Sequence, residues 1–387
     1  MNLFNNTKIT YADKTDSDLN RAYFLFKIVS KPYFAKFLTK FLEFALKIRL
    51  PIQRIVKSTI YKQFCGGTSI EESELTINKL SDSGIGTILN YSVEGKKDIE
   101  EFNRTKCEII STIKKASYSK SIPFAVFKPT AISSSSLLKK ITKKSVLNSK
   151  ELKEKKETEA RIEEICKNAV ELKVPIFIDA EESWIQGAID EIVREMMLKF
   201  NKQKAWIYNT LQLYRNDRIK YLEYIIDDAK NNNYHIGLKL VRGAYHRQEI
   251  ERSFMLDYDC PVHREKSKTD QDFNTAQKIC VENINLISFC SATHNEESTE
   301  YLVNLLNNHN IRIDDERIIF SQLLGMSDNI SYNLSHMGYY VAKYVPYGPV
   351  KDVIPYLIRR AEENTSIAGQ MNNELVNLIK ERRRRRS

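Results

Sequence analysis

The chain has 387 residues, of which 42% are hydrophobic and 28% charged, so it is long enough to bury one large core or two medium ones. Its sequence contains no apolar run of about 18 residues, the length that a membrane-spanning helix needs. The six cysteines show no Cys-x-x-Cys spacing, which argues against a disulfide framework or a zinc site and indicates reduced thiols in a reducing compartment.

Basic residues are concentrated in two segments of the chain. Residues 27–62 contain nine Lys or Arg residues and one acidic residue, Glu43, and a run of five arginines occupies 382–386. The net charge of +10 therefore belongs mostly to these segments, and the body between them is nearly neutral. This distribution argues against a uniformly basic nucleic-acid-binding protein. The arginine run is predicted to be a disordered tail.

The first basic segment also has helical periodicity. Apolar residues recur at helical spacing with lysines between them, namely Phe34, Phe37, Phe41, Phe44 and Ile48 with Lys36, Lys40 and Lys47. The favoured interpretation is an amphipathic helix packed on its own domain. The alternatives are a helix that contacts anionic lipid and, less favoured, one that contacts nucleic acid.

Beyond residue 65, short apolar runs alternate with long helical segments. The eight strand candidates are 86–91, 124–128, 176–180, 205–209, 236–241, 286–292, 317–320 and 339–343. Strands that alternate with helices predict a parallel sheet covered on both faces. Eight such units over roughly 300 residues predict an α/β fold, a (β/α)8 TIM-like barrel with an N-terminal helical extension. A doubly wound open sheet is the alternative, although no Gly-x-Gly-x-x-Gly motif follows any strand.

Two connections are longer than an ordinary link between a strand and a helix. Residues 131–170 are rich in lysine and serine, and residues 249–277 form the second long connection. Long insertions after barrel strands lie on the face where barrel active sites form. The favoured interpretation of 131–170 is a solvated helical excursion.

Polar residues cluster at the ends of the predicted strands. They include Lys128, Asp179, Gln212, Lys239, Arg242, Thr293, His294, Gln322 and Lys343. Because buried charges need partners, this recurrence predicts a ligand site at the carboxyl end of the barrel. The excess of cations suits an anionic ligand or a phosphate-bearing cofactor. No metal site is predicted, since His294 has no second His or Cys at ligand spacing, and no Ser-His-Asp or Cys-His arrangement is present.

A helix after the last predicted strand carries Arg359 and Arg360 side by side, one turn before Glu363. The two arginines are either a solvated helix face or a clamp for an anion. Side chains of adjacent helical residues point about 100° apart. Both arginines can therefore bind one carboxylate only if the helix lies across the carboxyl end of the barrel.

These stretches resemble the proline dehydrogenases. The resemblance is carried by ILNYSVE, FKPTAI, IDAEESWIQ, NTLQLYR, GLKLVRGAY, SATHNEES, FSQLLGMSD and KYVPYGPV followed by PYLIRRAEEN, in this order. It covers roughly 66–370, so the predicted domains are a basic helical extension (1–65), the barrel (66–370) and a helix end with the arginine tail (371–387).

The resemblance implies an FAD-dependent enzyme that oxidises L-proline to Δ1-pyrroline-5-carboxylate by hydride transfer to the flavin N5, the first step of proline catabolism. The implied substrate residues are Lys128, Arg359 and Arg360 for the carboxylate, with Tyr344, Leu323 and Asp179 around them. The implied cofactor residues are Gln212, Lys239, Val241, Gly243, Ala244, Lys266, Thr293, His294 and Glu363. No residue is identified as a general acid or base.

The resemblance also implies partners and a location. Electrons pass to a membrane quinone or another acceptor, and a separate pyrroline-5-carboxylate dehydrogenase takes the product. Since the first 18 residues resemble neither a signal nor a transit peptide, we expect a bacterial cytoplasm, with peripheral contact at the inner face of the membrane through residues 27–62, rather than a mitochondrial matrix.

Three other functions remain open at this point. The first is a hydroxyproline dehydrogenase, which the bulky Tyr344 disfavours because hydroxyproline-preferring relatives tend to have a smaller residue there. The second is a basic, membrane-associated binding protein that uses the barrel as a scaffold without catalysis. The third, a barrel enzyme that acts on a phosphorylated metabolite without flavin, is disfavoured because the loops after the last two strands are not glycine-rich.

Overall fold

Eight parallel strands form a closed barrel in a computed structural model that describes residues 3–29, 53–92, 98–366 and 368–386. Neighbouring strands pair in chain order. They are β1 (Gly86–Tyr91), β2 (Phe124–Phe127), β3 (Ile176–Ile178), β4 (Ile207–Gln212), β5 (Ile236–Val241), β6 (Ile287–Ala292), β7 (Ile318–Leu323) and β8 (Val341–Tyr347). Each strand overlaps one predicted run, so the predicted (β/α)8 barrel is confirmed and the doubly wound sheet was wrong.

Helices surround the strands in the alternation that the sequence predicts. Before β1 lie α1 (Thr7–Thr10), α2 (Asp16–Val29), α3 (Gln53–Val56), a π-helical turn (Lys57–Tyr61), α4 (Lys62–Phe64) and α5 (Glu74–Ser81). Between β1 and β8 lie α6 (Ile99–Ser117), a 3₁₀ turn (Pro129–Ala131), α7 (Ser135–Thr142), α8 (Ser149–Glu171), α9 (Ser183–Phe200), α10 (Arg218–Asn232), α11 (His246–Met255), α12 (Lys266–Glu282), α13 (Glu296–Asn308) and α14 (Asp328–His336). After β8 follow α15 (Val350–Ser366) and α16 (Ala368–Arg384). No described helix is long and apolar enough to cross a membrane.

The strands are buried on both faces, and some of them, such as β4, bury polar as well as apolar side chains. All four residues of β2 and all six of β4 are buried, as in a parallel sheet with helices outside and packed side chains inside. Phe124 and Phe177 stack with ring centroids 4.3 Å apart, and Tyr208 meets Phe124 edge-on at 5.1 Å. These aromatic side chains fill the barrel between β2, β3 and β4.

The chain divides into two compact units by its internal contacts. One contains the helices before β1, β1 itself, His294–Glu296 and the chain from Ser321 onward; the other contains α6 to Thr293 and Glu297–Phe320. The first unit has its own core, which joins Leu19, Phe64, Ile354 and Leu378 from four different helices. The N-terminal helices are therefore packed into the fold.

The connection 131–170 forms two ordered helices. A capping box of Asn148 and Glu151 starts α8, with both backbone N–H groups satisfied by side chains. Leu137 and Leu138 of α7, and Ile165 and Cys166 of α8, are buried. The solvated-excursion interpretation was wrong for these faces, because the charged residues occupy only the outer sides of helices that pack inward.

The end of the chain also differs from the expectation of disorder. Helix α16 extends to Arg384, and Arg385 donates to Asp16 at 2.8 Å and to the Tyr11 carbonyl at 2.8 Å. Glu381 accepts from both Arg384 and Arg385. The apolar and basic stripe predicted between Phe34 and Ile48 lies outside the described residues.

Candidate active site

Asp179 and Lys239, assigned from the sequence to substrate and cofactor respectively, form an ion pair with each other. The Lys239 ammonium donates to Asp179 Oδ1, and both residues are buried. The same ammonium lies 5.2 Å from the centroid of the Phe177 ring. Lys239 belongs to β5 and Asp179 follows β3, so parallel strands bring their side chains together. The buried pair holds both side chains in fixed positions at the carboxyl end of the sheet.

Glu181, one of the polar residues after β3, is a titratable residue of this region to which the sequence assigned no role. Its carboxylate accepts from the Thr130 backbone N–H at 2.8 Å and from the Thr130 hydroxyl. Burial raises the pKa of Glu181 to about 7, against the opposing effects of Lys128 and the Thr130 bonds. The signal in the sequence was the second acid after β3, in IDAEE, but a side chain's burial cannot be read from its spacing.

Four of the implied cofactor residues meet in two hydrogen-bonded groups. Gln212 accepts from the Ala244 N–H at 3.3 Å and donates to the Glu181 carbonyl at 2.6 Å. Lys266 and Thr293 are joined through Arg242, which donates to Thr293 and, at 2.6 Å, to Asp270, the carboxylate that also accepts from Lys266. The sequence predicted Arg242 as one of the cations at the carboxyl end of the barrel but not as a cofactor residue.

Gly243 occupies a position that no other residue can take without strain. Its φ is +139°, and a Cβ atom there would lie 2.4 Å from the Tyr214 ring. The Tyr214 ring therefore packs directly against the backbone between Val241 and Ala244. The buried Tyr214 hydroxyl has no hydrogen-bond partner among the described residues.

The strand ends of the first unit carry three more of the predicted residues. His294 Nδ1 lies 3.0 Å from the Ser327 hydroxyl. Leu323 ends β7 and Tyr344 lies in β8; both are half-buried, and the Leu324 N–H donates to the Tyr344 carbonyl at 2.9 Å. This backbone bond fixes the register of the two side chains that the sequence assigned to the substrate ring.

Lys343 forms a buried charge network next to these residues. Its ammonium is fully buried and lies 2.8 Å from Asp328, and it donates to the Met326 carbonyl at 2.6 Å. Lys14 lies 3.5 Å from the other oxygen of Asp328. Although burial acts to raise it, these two lysines hold the pKa of Asp328 below its ordinary value. The network anchors the turn between β7 and α14 to β8.

Arg359 is half-buried on α15. The side chains of Arg360 and Glu363 lie outside the described part of the chain. Among the described residues no group of three or more His, Cys, Asp or Glu is arranged to hold a metal ion.

The residues at the strand ends of the second unit fit a flavin nucleotide. Arg242 and Lys266 supply positive charge for phosphate, and the Gln212 amide supplies a hydrogen-bonding group for a ring edge. The unpartnered Tyr214 hydroxyl is a further donor.

Comparison with known proteins supports the resemblance seen in the sequence. The family model described as proline dehydrogenase matches residues 74–373. Proline dehydrogenase 1, mitochondrial, of Dictyostelium discoideum is 32% identical over 98% of this chain and 74% of its own length. The carbapenem antibiotics biosynthesis protein CarD of Pectobacterium carotovorum is 32% identical over 85% of each chain. Hydroxyproline dehydrogenase of Xenopus laevis is 27% identical over 96% of this chain and 88% of its own length.

Solved structures show the same fold. The crystal structure of proline utilization A from Bdellovibrio bacteriovorus inactivated by N-propargylglycine matches with a TM-score of 0.73 and 19% identity over 92% of this chain. This chain spans 38% of the length of that protein. At this identity the likeness concerns the fold alone.

Proposed function

We propose, since this chain belongs to the proline dehydrogenase family, that it is an FAD-dependent oxidoreductase that converts L-proline to Δ1-pyrroline-5-carboxylate. The observation that carries the proposal is the family match over residues 74–373, which contains all eight strands and every proposed substrate and cofactor residue. Relatives named proline dehydrogenase at 30% to 38% identity support it.

In the proposed mechanism the carboxylate of proline is held by cations. Arg359 and Arg360 offer planar guanidinium groups that bind a carboxylate through two hydrogen bonds each, and Lys128 adds a third positive charge. Tyr344 and Leu323 pack against the ring, which places its carbon next to nitrogen in one orientation. Asp179, held by Lys239, supports this arrangement. Fixed orientation is the main contribution that such a site makes to the rate.

The proposed flavin site uses Gln212, Lys239 and the backbone of Val241, Gly243 and Ala244 for the ring and its nearby chain. Lys266, Thr293, His294 and Glu363 bind the phosphate, ribose and adenosine parts, and Arg242 joins them because it already contacts Thr293. When bound, the flavin supplies the hydride acceptor. The proton of the substrate amine passes to solvent, since no residue is assigned as a base.

The colour of the purified protein tests this proposal. We expect a yellow protein whose visible flavin absorption is bleached by L-proline under anaerobic conditions. A colourless protein that cannot be reconstituted with FAD contradicts the proposal and favours the non-catalytic, membrane-associated alternative.

Hydroxyproline oxidation is the second candidate, because the Xenopus laevis relative with that name matches 96% of this chain. The half-buried Tyr344 favours proline, since the added hydroxyl needs space that a tyrosine ring occupies. We therefore expect kcat/KM for L-proline to exceed that for hydroxyproline. The reverse order contradicts this assignment.

The partners and location are proposals of the same kind. We propose a quinone as electron acceptor, a separate pyrroline-5-carboxylate dehydrogenase downstream, and peripheral membrane contact through residues 27–62, most of which lie outside the described residues. Relatives from Dictyostelium and Arabidopsis are named mitochondrial, so cell fractionation has to decide between that compartment and the predicted cytoplasm. Unchanged co-sedimentation with anionic vesicles after deletion of residues 1–65 contradicts the membrane contact.

A further inference from the structure

Ser327 stands directly before α14 but does not cap that helix. Its φ of +48° and ψ of +43° lie in the left-handed region, and its hydroxyl forms no capping bond to the described residues of α14. By contrast Ser134, which precedes α7, has an extended backbone and accepts from the Leu137 N–H in the usual way. A left-handed backbone outside glycine costs free energy and persists only where other contacts hold it. The conformation of Ser327 therefore serves contacts other than the start of its helix.

Helix α16 holds the backbone of Ser327. The Ser327 N–H donates to Glu374 Oε1, and Glu374 is the first residue after the matched segment 74–373. Ser327 is only 4% exposed, so the carboxyl satisfies an N–H that water does not reach. Burial, together with the charge of Asp328, raises the pKa of Glu374 to about 7. In either protonation state one carboxyl oxygen can accept from the Ser327 N–H, so the contact does not depend on the charge of Glu374.

Strand β8 holds the rest of the turn that ends at Ser327, residues 324–327. The Leu324 N–H donates to the Tyr344 carbonyl at 2.9 Å, and Lys343 donates to the Met326 carbonyl at 2.6 Å. The turn is thus bound by β8 over its first part and by α16 at its last residue. Together these contacts set the position of the Ser327 hydroxyl.

That hydroxyl lies against a proposed cofactor residue. Ser327 Oγ is 3.0 Å from His294 Nδ1, and two positions further along each segment Asn329 donates to Glu296 Oε1 at 2.8 Å. These two bonds attach residues 294–296 to the start of α14, and the three residues accordingly belong to the first unit. If the hydroxyl donates to Nδ1, the proton of the neutral imidazole is on Nε2, from which it can be donated to a ligand oxygen.

We propose that Ser327 and Glu374 are positioning residues for the cofactor: Glu374 holds Ser327 so that the serine hydroxyl donates to His294 Nδ1, and the Nε2–H of His294 donates to a phosphate or ribose oxygen of FAD. The inference rests on the proposed function, because FAD is the cofactor that this function requires. Ser327 acts through His294, and Glu374 acts through both. The support of the cofactor site thereby extends to α16, most of which lies beyond the matched segment.

The dissociation constant of FAD tests the role of the hydroxyl. Ser327→Gly removes the hydroxyl, adopts the positive φ without strain and keeps the N–H that Glu374 binds. We expect it to weaken FAD binding about fivefold, the equivalent of about 1 kcal/mol for one hydrogen bond. Ser335→Ala is the matched control, because this serine donates to the Ser83 carbonyl at 2.7 Å at the other end of α14, and FAD affinity should stay at the wild-type value.

A double variant separates a role through His294 from a general loss of structure. In a His294→Ala background Ser327→Gly should weaken FAD binding no further, because the residue through which Ser327 acts is gone. If the wild-type protein binds FAD, an equal loss in both backgrounds or no loss in either overturns this inference alone. A wild-type protein that binds no FAD overturns the proposed function and the inference with it.

Two variants of nearly equal size test Glu374. Glu374→Gln keeps an oxygen that accepts from the Ser327 N–H, whereas Glu374→Met offers no oxygen. We expect Glu374→Met to weaken FAD binding about threefold, less than Ser327→Gly because it acts at one remove, and Glu374→Gln to keep most of the affinity that Glu374→Met loses. Equal FAD dissociation constants for the two Glu374 variants overturn the role of Glu374.

Nitrogen-15 NMR of the histidine-labelled holoenzyme reads the protonation of the imidazole directly. The signal of His294 is the one that is missing from His294→Ala. We expect its proton on Nε2 in the wild type and a mixture of the two tautomers in Ser327→Gly, a change that a merely structural serine would not produce. A proton on Nδ1 in the wild type, or the same tautomer in both proteins, overturns the proposal.

Discussion

Removal of the Lys343 ammonium tests the buried charge network most directly. Lys343 is fully buried in β8, and its ammonium contacts Asp328 at 2.8 Å and the carbonyls of Met326 and Leu323 at 2.6 and 3.3 Å. Lys343→Met keeps most of the side-chain volume but leaves two carbonyls without this donor and Asp328 with one lysine fewer. The variant therefore isolates the contribution of the charge.

The expected loss follows from these contacts. Removal of one partner from a buried ion pair costs about 3–5 kcal/mol. Because Lys14 remains 3.5 Å from Asp328, the loss falls at the lower end, about 3 kcal/mol of unfolding free energy. Lys79→Met is the control, since Lys79 is 41% exposed and 3.5 Å from Asp13, and surface pairs contribute at most about 1 kcal/mol.

Urea unfolding followed by far-UV circular dichroism measures both losses. In the double variant Lys343→Met with Asp328→Asn, the uncompensated carboxylate is gone, so we expect part of the stability to return. Two results refute the reasoning. One is a loss in Lys343→Met no larger than in Lys79→Met; the other is a double variant that is less stable than Lys343→Met.

Three further predictions concern the proposed site and its surroundings. Arg359→Met should raise the KM for L-proline by more than about tenfold with the flavin absorption retained. Arg312→Met, which changes an 81%-exposed side chain, should leave the KM unchanged. A near-normal KM in Arg359→Met contradicts the proposal that Arg359 binds the proline carboxylate. Glu374→Gln should flatten the pH dependence of stability. The pKa of the Glu374 carboxyl is about 7 in the folded protein against an ordinary 4.5, so wild-type stability falls as pH rises through that window, by up to about 1.4 kcal/mol per pH unit. Parallel profiles of unfolding free energy against pH for both proteins, measured with urea, contradict the raised pKa. Gly243→Ala should lower FAD affinity, since its Cβ would lie 2.4 Å from the Tyr214 ring. Gly84→Ala is the control, because Gly84 also has a positive φ but its added Cβ would meet only the Ser335 hydroxyl, and it should leave FAD affinity unchanged. Equal FAD dissociation constants for the two variants contradict the reasoning.

The barrel was predictable from the sequence because its strands carry a strong local signal. Runs such as FAVF, 124–127, are apolar on both faces, and that pattern indicates a strand with helices on either side. Chain order then fixed the topology, since consecutive parallel strands in a barrel pair in sequence. The same logic placed Asp179 and Lys239 at strand ends, although not in contact with each other.

Side-chain partnerships were not predictable, because they join residues distant in sequence. Lys343 was noted only as a polar strand end, and nothing near it in the sequence shows that Lys14 and Asp328 complete its network. Glu181 was given no role for the same reason, since its raised pKa comes from burial. The solvated-excursion interpretation of 131–170 underestimated packing, because the charge pattern of α8 concealed a narrow buried face that continues to Ala169.

The contacts of α16 and of Arg385, which follows it, have a consequence for how the protein is made. Arg385 binds Asp16, which lies 369 positions earlier, and Lys380 donates to the Asn5 carbonyl across 375 positions. During synthesis the first helices therefore emerge from the ribosome long before their partner exists. Such pairing raises the contact order and delays completion of the first unit until translation has passed residue 385. We expect the nascent chain to expose the apolar side of α2 throughout elongation, which makes this helix a natural site for chaperone binding.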